Sequence, residues 1–141
     1  MTKKLTTLAA TLFILSLMGF AQTRFTLVNT QIVTVPFSFA AGNRTMSAGT
    51  YNVQVDTEKQ IVVLRGENQP ALMLLANREE LRKPAAHSQL IFQRYGSHYV
   101  LKNIHVQASA EGESLVPGTL EKEIARNEKA AETVAVQAGT R

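Results

Sequence analysis

The chain has 141 residues, 45% of them hydrophobic, with 15 basic against 11 acidic side chains and no cysteine. That length accommodates one domain and leaves no room for a second of ordinary size. Without cysteine there are no disulfides, thiolate nucleophiles or thiolate metal sites, so a fold here rests on its apolar core alone.

Residues 1–21 read as a secretory signal peptide. Lys3 and Lys4 form a short positive start, residues 5–20 are rich in Leu, Ala, Phe, Ile and Met, and Gly19-Phe20-Ala21 places small residues at the −3 and −1 positions before Gln22. The apolar run is about 16 residues, against the ~20 that a spanning helix needs, so cleavage after Ala21 is expected rather than a retained transmembrane anchor. The product would be periplasmic or secreted. Losing Lys3 and Lys4 leaves 13 basic against 11 acidic residues, a net charge of +2. No run of Lys and Arg remains to neutralise a line of phosphates, which argues against a nucleic-acid partner.

Residues 22–31 are a polar lead-in, expected to be mobile. The β domain is expected over residues 32–118. Residues 32–39 alternate Val33, Val35, Phe37 and Phe39 with Thr34, Pro36 and Ser38, the period of a strand. Pro36 has no N–H for a ladder, so that strand belongs at an edge. Two turns, Ala41-Gly42-Asn43 and Ser47-Ala48-Gly49, flank a short extended piece. Residues 50–56 put Tyr51, Val53 and Val55 on one face and Asn52 and Gln54 on the other. After a polar loop, residues 61–64 are apolar on both faces, which predicts a central or covered strand. Residues 70–83 are ambiguous. ALMLLANREELRK is made of good helix formers behind Pro70, yet a buried strand over 71–77 with a charged loop after it gives the simpler meander, and the strand is the preferred reading.

Residues 90–107, LIFQRYGSHYVLKNIHVQ, make the strongest structural statement. Gly96-Ser97 is a two-residue loop with glycine first, which suits a type II′ hairpin turn. The turn pairs Tyr95 with His98, Arg94 with Tyr99, Gln93 with Val100, Phe92 with Leu101 and Ile91 with Lys102. Leu90, Phe92, Tyr99 and Leu101 then face inward with Arg94 at the end. Ile91, Tyr95 and Val100 share the half-wet face with Gln93, His98 and Lys102. Beyond Lys102 the alternation slips, and a bulge near Asn103 would turn Ile104 inward.

Residues 108–117 read as a loop. Residues 119–132 read as a short helix with Thr119 as N-cap, Glu121 and Glu123 in its first turn and a thin apolar edge of Leu120 and Ile124. Residues 133–141 are expected to be a disordered tail. The fold class is therefore all-β, a small antiparallel β-barrel or sandwich of about six to eight strands with a short C-terminal helix.

Three pieces in order, VPFSFAAG (35–42), SAGTYNV (47–53) and LIFQRYGSHYVLKNI (90–104), lie behind the signal peptide. Together the chain resembles a family of small exported bacterial proteins of uncharacterised function. The resemblance implies an all-β exported domain ending in a short charged helix, and it brings no catalytic residues. That family's usual proline before the AGTY piece is Ser47 here, which leaves the turn less rigid.

The candidate chemistry is thin. Of His87, His98 and His105, the last two lie on one strand and could share a face given the bulge, but nothing gathers a third ligand for a metal. There is no G-x-S-x-G elbow, H-E-x-x-H helix or glycine-rich phosphate loop. The single Asp, Asp56, stands in a turn and reads as structural. Arg94, Tyr95 and Tyr99, with Ile91 and Val100, are the candidate ligand or partner surface, Arg94 being placed to stack on Tyr99. No cofactor, metal or catalytic residue is expected, and the chain is not read as an enzyme. Two functions remain, with an enzyme a distant third. One is an exported non-catalytic binding or structural module for an unknown envelope or extracellular protein. The other is a carrier with a small apolar ligand inside a barrel lined by Phe37, Phe39, Tyr51, Phe92 and Leu101. A filled interior beside an exposed apolar patch would favour the first, and an apolar void the second.

Overall fold

The computed structural model describes residues 28–139. The expected signal peptide and residues 22–27 of the lead-in lie outside the described residues. The fold is all-β with one short helix. In chain order the elements are β1 (Asn29–Val35), β2 (Phe39–Ala41), β3 (Arg44–Met46), β4 (Gly49–Asp56), β5 (Ile61–Gly66), β6 (Leu72–Glu80), β7 (Gln89–Tyr95), β8 (His98–His105), β9 (Glu111–Leu115), α1 (Thr119–Asn127) and β10 (Ala130–Gln137).

All ten strands belong to one open sheet. Its main path runs β1-β4-β5-β6-β9-β8, and β7 and β10 continue it on the far side of β8. Every pairing is antiparallel except β2 with β8, a short parallel contact of Phe39 with Tyr99 and Ala40 with Val100. The sheet curls around its own inner face. Its two ends meet where the Gly139 N–H donates to the Ile32 carbonyl at 3.1 Å. Inside the curl, Val33, Tyr51, Val53, Leu64, Leu90, Phe92, Leu101 and Ile104 form one buried cluster, with Val134, Val136 and Ala138 packed against it. Three rings meet edge-on at its centre, Phe92 with Phe37 at 5.0 Å and with Phe39 at 5.2 Å between centroids.

The hairpin has the expected register from Tyr95–His98 to Phe92–Leu101. Gly96 has φ +56, the left-handed conformation that its lack of a Cβ permits. The bulge expected near Asn103 is present, and it replaces the expected pair of Ile91 with Lys102. Ile91 pairs with Asn103, Lys102 is the extra residue, and Ile104 turns into the core opposite Leu90. The alternation of β4 also holds, with Tyr51, Val53 and Val55 buried. The ambiguous segment is a strand, but one buried on a single face, Leu74 and Ala76 inside and Met73 and Leu75 outside, and β6 extends to Glu80 through the charged residues expected as loop.

Several expectations are corrected. Residues 29–31, the end of the expected mobile lead-in, belong to β1, because β4 is long enough to pair with them as far as Val55. The strand expected over residues 32–39 is two strands, because Pro36 ends the β1 ladder and the chain turns before β2. Strands number ten among the described residues rather than six to eight. Residues 111–115, expected as loop, are β9, which fills the gap between β6 and the C-terminal half of β8. The helix ends at Asn127, and residues 130–137, expected as helix end and disordered tail, are β10 on the free edge of β7. The helix N-cap is Gly118, which uses no side-chain cap of its own. Instead Asn43, in the turn between β2 and β3, takes the Thr119 N–H on its Oδ1 at 2.6 Å.

Candidate functional site

The five residues singled out on the hairpin do not form one surface. Arg94 lies opposite Tyr99 in register, but its guanidinium donates to Glu132 Oε1 at 3.0 Å and to the Gly96 carbonyl at 2.8 Å. The hydrogen bond to the Glu132 carboxylate raises its pKa further. Tyr99 stacks on Phe37 with centroids 3.9 Å apart. The expected arginine–tyrosine stack is replaced by an ion pair between β7 and β10 and an aromatic stack on the inner face. Ile91 and Tyr95 are half-buried on β7. Val100 is 1% exposed and offers nothing to a partner.

The ion pairs of His98 and Lys102, the outward residues on either side of Val100, place α1 over this face. Along the outer face of β8, Lys102 donates to Glu121 and His98 Nδ1 lies 3.0 Å from Glu128 Oε1, so the helix is tied down on either side of Val100. Glu121 and Glu128 are seven residues apart, two helical turns, and therefore project from one face together with Leu120 and Ile124. That thin apolar stripe and Ala40, Phe39 and Tyr99 line the same narrow gap. The amphipathic edge expected of the helix is the part that meets the sheet.

Among the described residues, the outer face of β5 and β6 has no such cover. Ile61 pairs with Leu75 and Val63 with Met73, all four pointing away from the core. Met73 is 65% exposed and Leu75 64%. Val116 continues the patch beyond Leu75, whose carbonyl accepts its N–H at 3.0 Å. On the other side Ile61, Val63 and Met73 border a groove of about 190 Å³ with Val28, Gln54, Asp56 and Lys59. Met73 and Leu75 are thus a ridge standing beside a hollow. Asp56 and Lys59 close the rim as an ion pair at 3.3 Å. The Asp56 carboxyl is held below its usual pKa, chiefly by the Lys59 backbone N–H at 3.0 Å, the local bonding of a turn aspartate.

Sequence reasoning misses this patch while containing its signal. Residues 61–64 read as apolar on both faces, and that pattern predicts a cover. The one helix among the described residues lies elsewhere, and the outer half of the apolar pattern meets solvent.

The remaining polar groups are dispersed. His105 Nε2 faces Glu79 Oε2 at 3.8 Å and its Nδ1 faces Gln89 at 3.5 Å, while Glu79 accepts from Asn103 at 2.6 Å. Gly112 lies beneath the His105 ring, where a Cβ would come within 2.7 Å of it. His87 lies on a separate open groove of about 660 Å³ between β1 and β10, lined also by Gln31, Ser88, Gln107 and Gln137. Gln31 is buried there with neither amide atom hydrogen-bonded. Glu113 is buried on β9 between Arg78 and Ile104, and desolvation pushes its carboxyl pKa up despite the Arg78 charge. Among the described residues, no three His, Asp or Glu side chains gather as a metal site, and no helix is long and apolar enough to cross a membrane. No family model, curated protein or solved structure matches the chain.

Proposed function

We propose that the chain is an exported, non-catalytic β domain that works by binding a protein partner of the envelope or extracellular space through the outer face of β5 and β6. The observation that carries this reading is the pairing of Met73 and Leu75, open to solvent, with Ile61 and Val63 beside them. Adjacent large apolar side chains on a bare sheet face are a feature of interaction surfaces. The rim contains both charge signs in Asp56 and Lys59, which suits a protein surface better than a uniformly charged polymer. The mutual packing of Leu64, Phe92 and Leu101 in one buried cluster, with open grooves at the surface, supports this reading over a carrier of a small apolar ligand. Export rests on the Lys3-Lys4 start, the short apolar run and the small residues before Gln22, and on the resemblance to small exported bacterial proteins.

The test is site-specific photo-cross-linking in an exporting host. A photoreactive side chain at position 73 is expected to give a defined protein adduct, and the same group at the exposed helix position 126 is expected to give none. Equal adduct patterns at the two positions, or none at 73, would refute the surface. N-terminal sequencing of the recovered chain is expected to begin at Gln22, and a start within residues 1–20 would refute the cleavage.

A further inference from the structure

The shape of the bare face points to its occupant. We infer that the partner is a second copy of this chain, packed sheet to sheet about a two-fold axis that runs parallel to the strands. This inference rests on the proposed binding face and goes further by naming what covers it.

The face has two unlike halves side by side. Met73 and Leu75 on β6 project as a ridge of long, flexible side chains. Ile61 and Val63 on β5 sit lower, half-buried, and floor the hollow of about 190 Å³ that Val28, Gln54, Asp56 and Lys59 enclose. A two-fold rotation about an axis between β5 and β6, in the plane between two facing sheets, exchanges the two strands. It sets the ridge of each copy over the hollow of the other, with Leu75 facing Ile61 and Met73 facing Val63 of the opposite chain. The cross-strand register, Ile61 with Leu75 and Val63 with Met73, puts these residues at matching heights, so both contacts form at once. That is the self-complementarity an isologous interface requires.

The rim agrees with this. Asp56 and Lys59 lie on the same side of the hollow, and Lys59 is largely exposed. With exposed Arg65 continuing the outer face of β5 beyond Val63, the patch is edged by both signs and presents no block of one charge to its own copy. A partner recognised by charge would instead call for a rim of one sign. Methionine suits the role, since its unbranched thioether adapts to a hollow that was not built around it.

The area sets the strength. The four strands β4, β5, β6 and β9, at ~4.8 Å spacing and ~20 Å length, present roughly 400 Å² per copy, or roughly 800 Å² in total. Stable complexes begin at about 1,200 Å², so the dimer belongs to the weak class, with association developing at micromolar concentration and above.

Sedimentation equilibrium of the full chain recovered from an exporting host, from about 1 μM to about 1 mM, tests this. The weight-average mass is expected to rise from monomer toward dimer. Met73→Lys and Leu75→Lys are each expected to weaken association at least tenfold with unchanged melting temperature, since both side chains are exposed in the single chain. Because the chain has no cysteine, a second arm is clean. Ile61→Cys chains mixed in equal amount with Leu75→Cys chains, treated with a short bismaleimide, are expected to give the mixed dimer in more than the twofold excess over either like pair that random pairing produces. A wild-type chain that stays monomeric throughout overturns the inference, as does association that survives both lysine variants, or a mixed dimer at or below that twofold excess. If the chain stays monomeric but position 73 still captures a different protein, the second copy is wrong and the binding face stands. If position 73 captures nothing and the chain is monomeric, both fall.

Discussion

On the outer side of β8, Val100 is 1% exposed beneath α1. On the outer side of β6, Met73 and Leu75 stand almost two-thirds open. Both strands sit in the same sheet over the same core, and both present apolar side chains outward. The difference lies in the segment downstream. The turn between β2 and β3 caps the start of α1 through Asn43, Lys102 and His98 tie its acidic face down, and Leu120 and Ile124 supply the contact. One nine-residue helix covers one such face, and no second helix occurs among the described residues. An outward apolar residue is therefore not evidence of function on this fold unless the chain fails to cover it.

The comparison depends on a common interior, and the largest expected effect breaks that. Phe92 is fully buried with Phe37 and Phe39 edge-on around it. Phe92→Ala is expected to cost about 3–5 kcal/mol in a denaturant titration, a large share of the stability of a domain this size. A loss below about 1 kcal/mol would mean the inner face is assigned wrongly. Next comes the direct contrast between the two outer faces. Val100→Lys forces an ammonium under α1 and is expected to cost about 2 kcal/mol or more, moderated by whatever path its stem finds to water. Equal tolerance of lysine at 100 and at 73 would erase the distinction.

A smaller effect concerns Glu113, which lies inside the sheet between the covered and the bare face. Its pKa is raised by desolvation, so the native state holds its proton more tightly than the unfolded chain does. The stability this contributes is complete below the ordinary carboxyl pKa and is lost as pH rises through the raised value. Glu113→Gln is expected to raise the melting temperature at neutral pH, with the gain fading toward about pH 4. A gain independent of pH would assign the effect to packing. The smallest change in stability is expected at the bare face itself. Met73→Lys should stay within about 0.5 kcal/mol of the parent in the same titration, because it alters solvent-facing surface alone.

Much of the fold is legible in local pattern. The Gly96-Ser97 turn sets the hairpin register, and the parity slip at Lys102 announces the bulge that restores Ile104 to the core. The same period of two places Tyr51, Val53 and Val55 inside. The illegible parts depend on distant partners. Residues 111–115, EGESL, have neither strand composition nor clear alternation, and they become β9 because β6 and the C-terminal half of β8 each offer an unpaired edge there. Residues 130–137, AAETVAVQ, are small and come after a marginal helix, yet β7 offers a full-length edge, and Gln93 fixes the pairing by donating to the Glu132 carbonyl at 2.8 Å. Tertiary pairing outweighs local propensity in both cases. The candidate surface moves for a related reason. The outward face of the hairpin looks available in sequence because the helix that lies on Val100 comes about twenty residues later in the chain.

The single bond from Gly139 to Ile32 joins positions about a hundred residues apart in synthesis. Until the C-terminal strand emerges, β7 offers a naked edge and the curl has nothing to close against, so the nascent polypeptide cannot lock into its final shape early. On the export proposed above, that delay would keep the chain pliable in transit and let it harden only once β10 has come through.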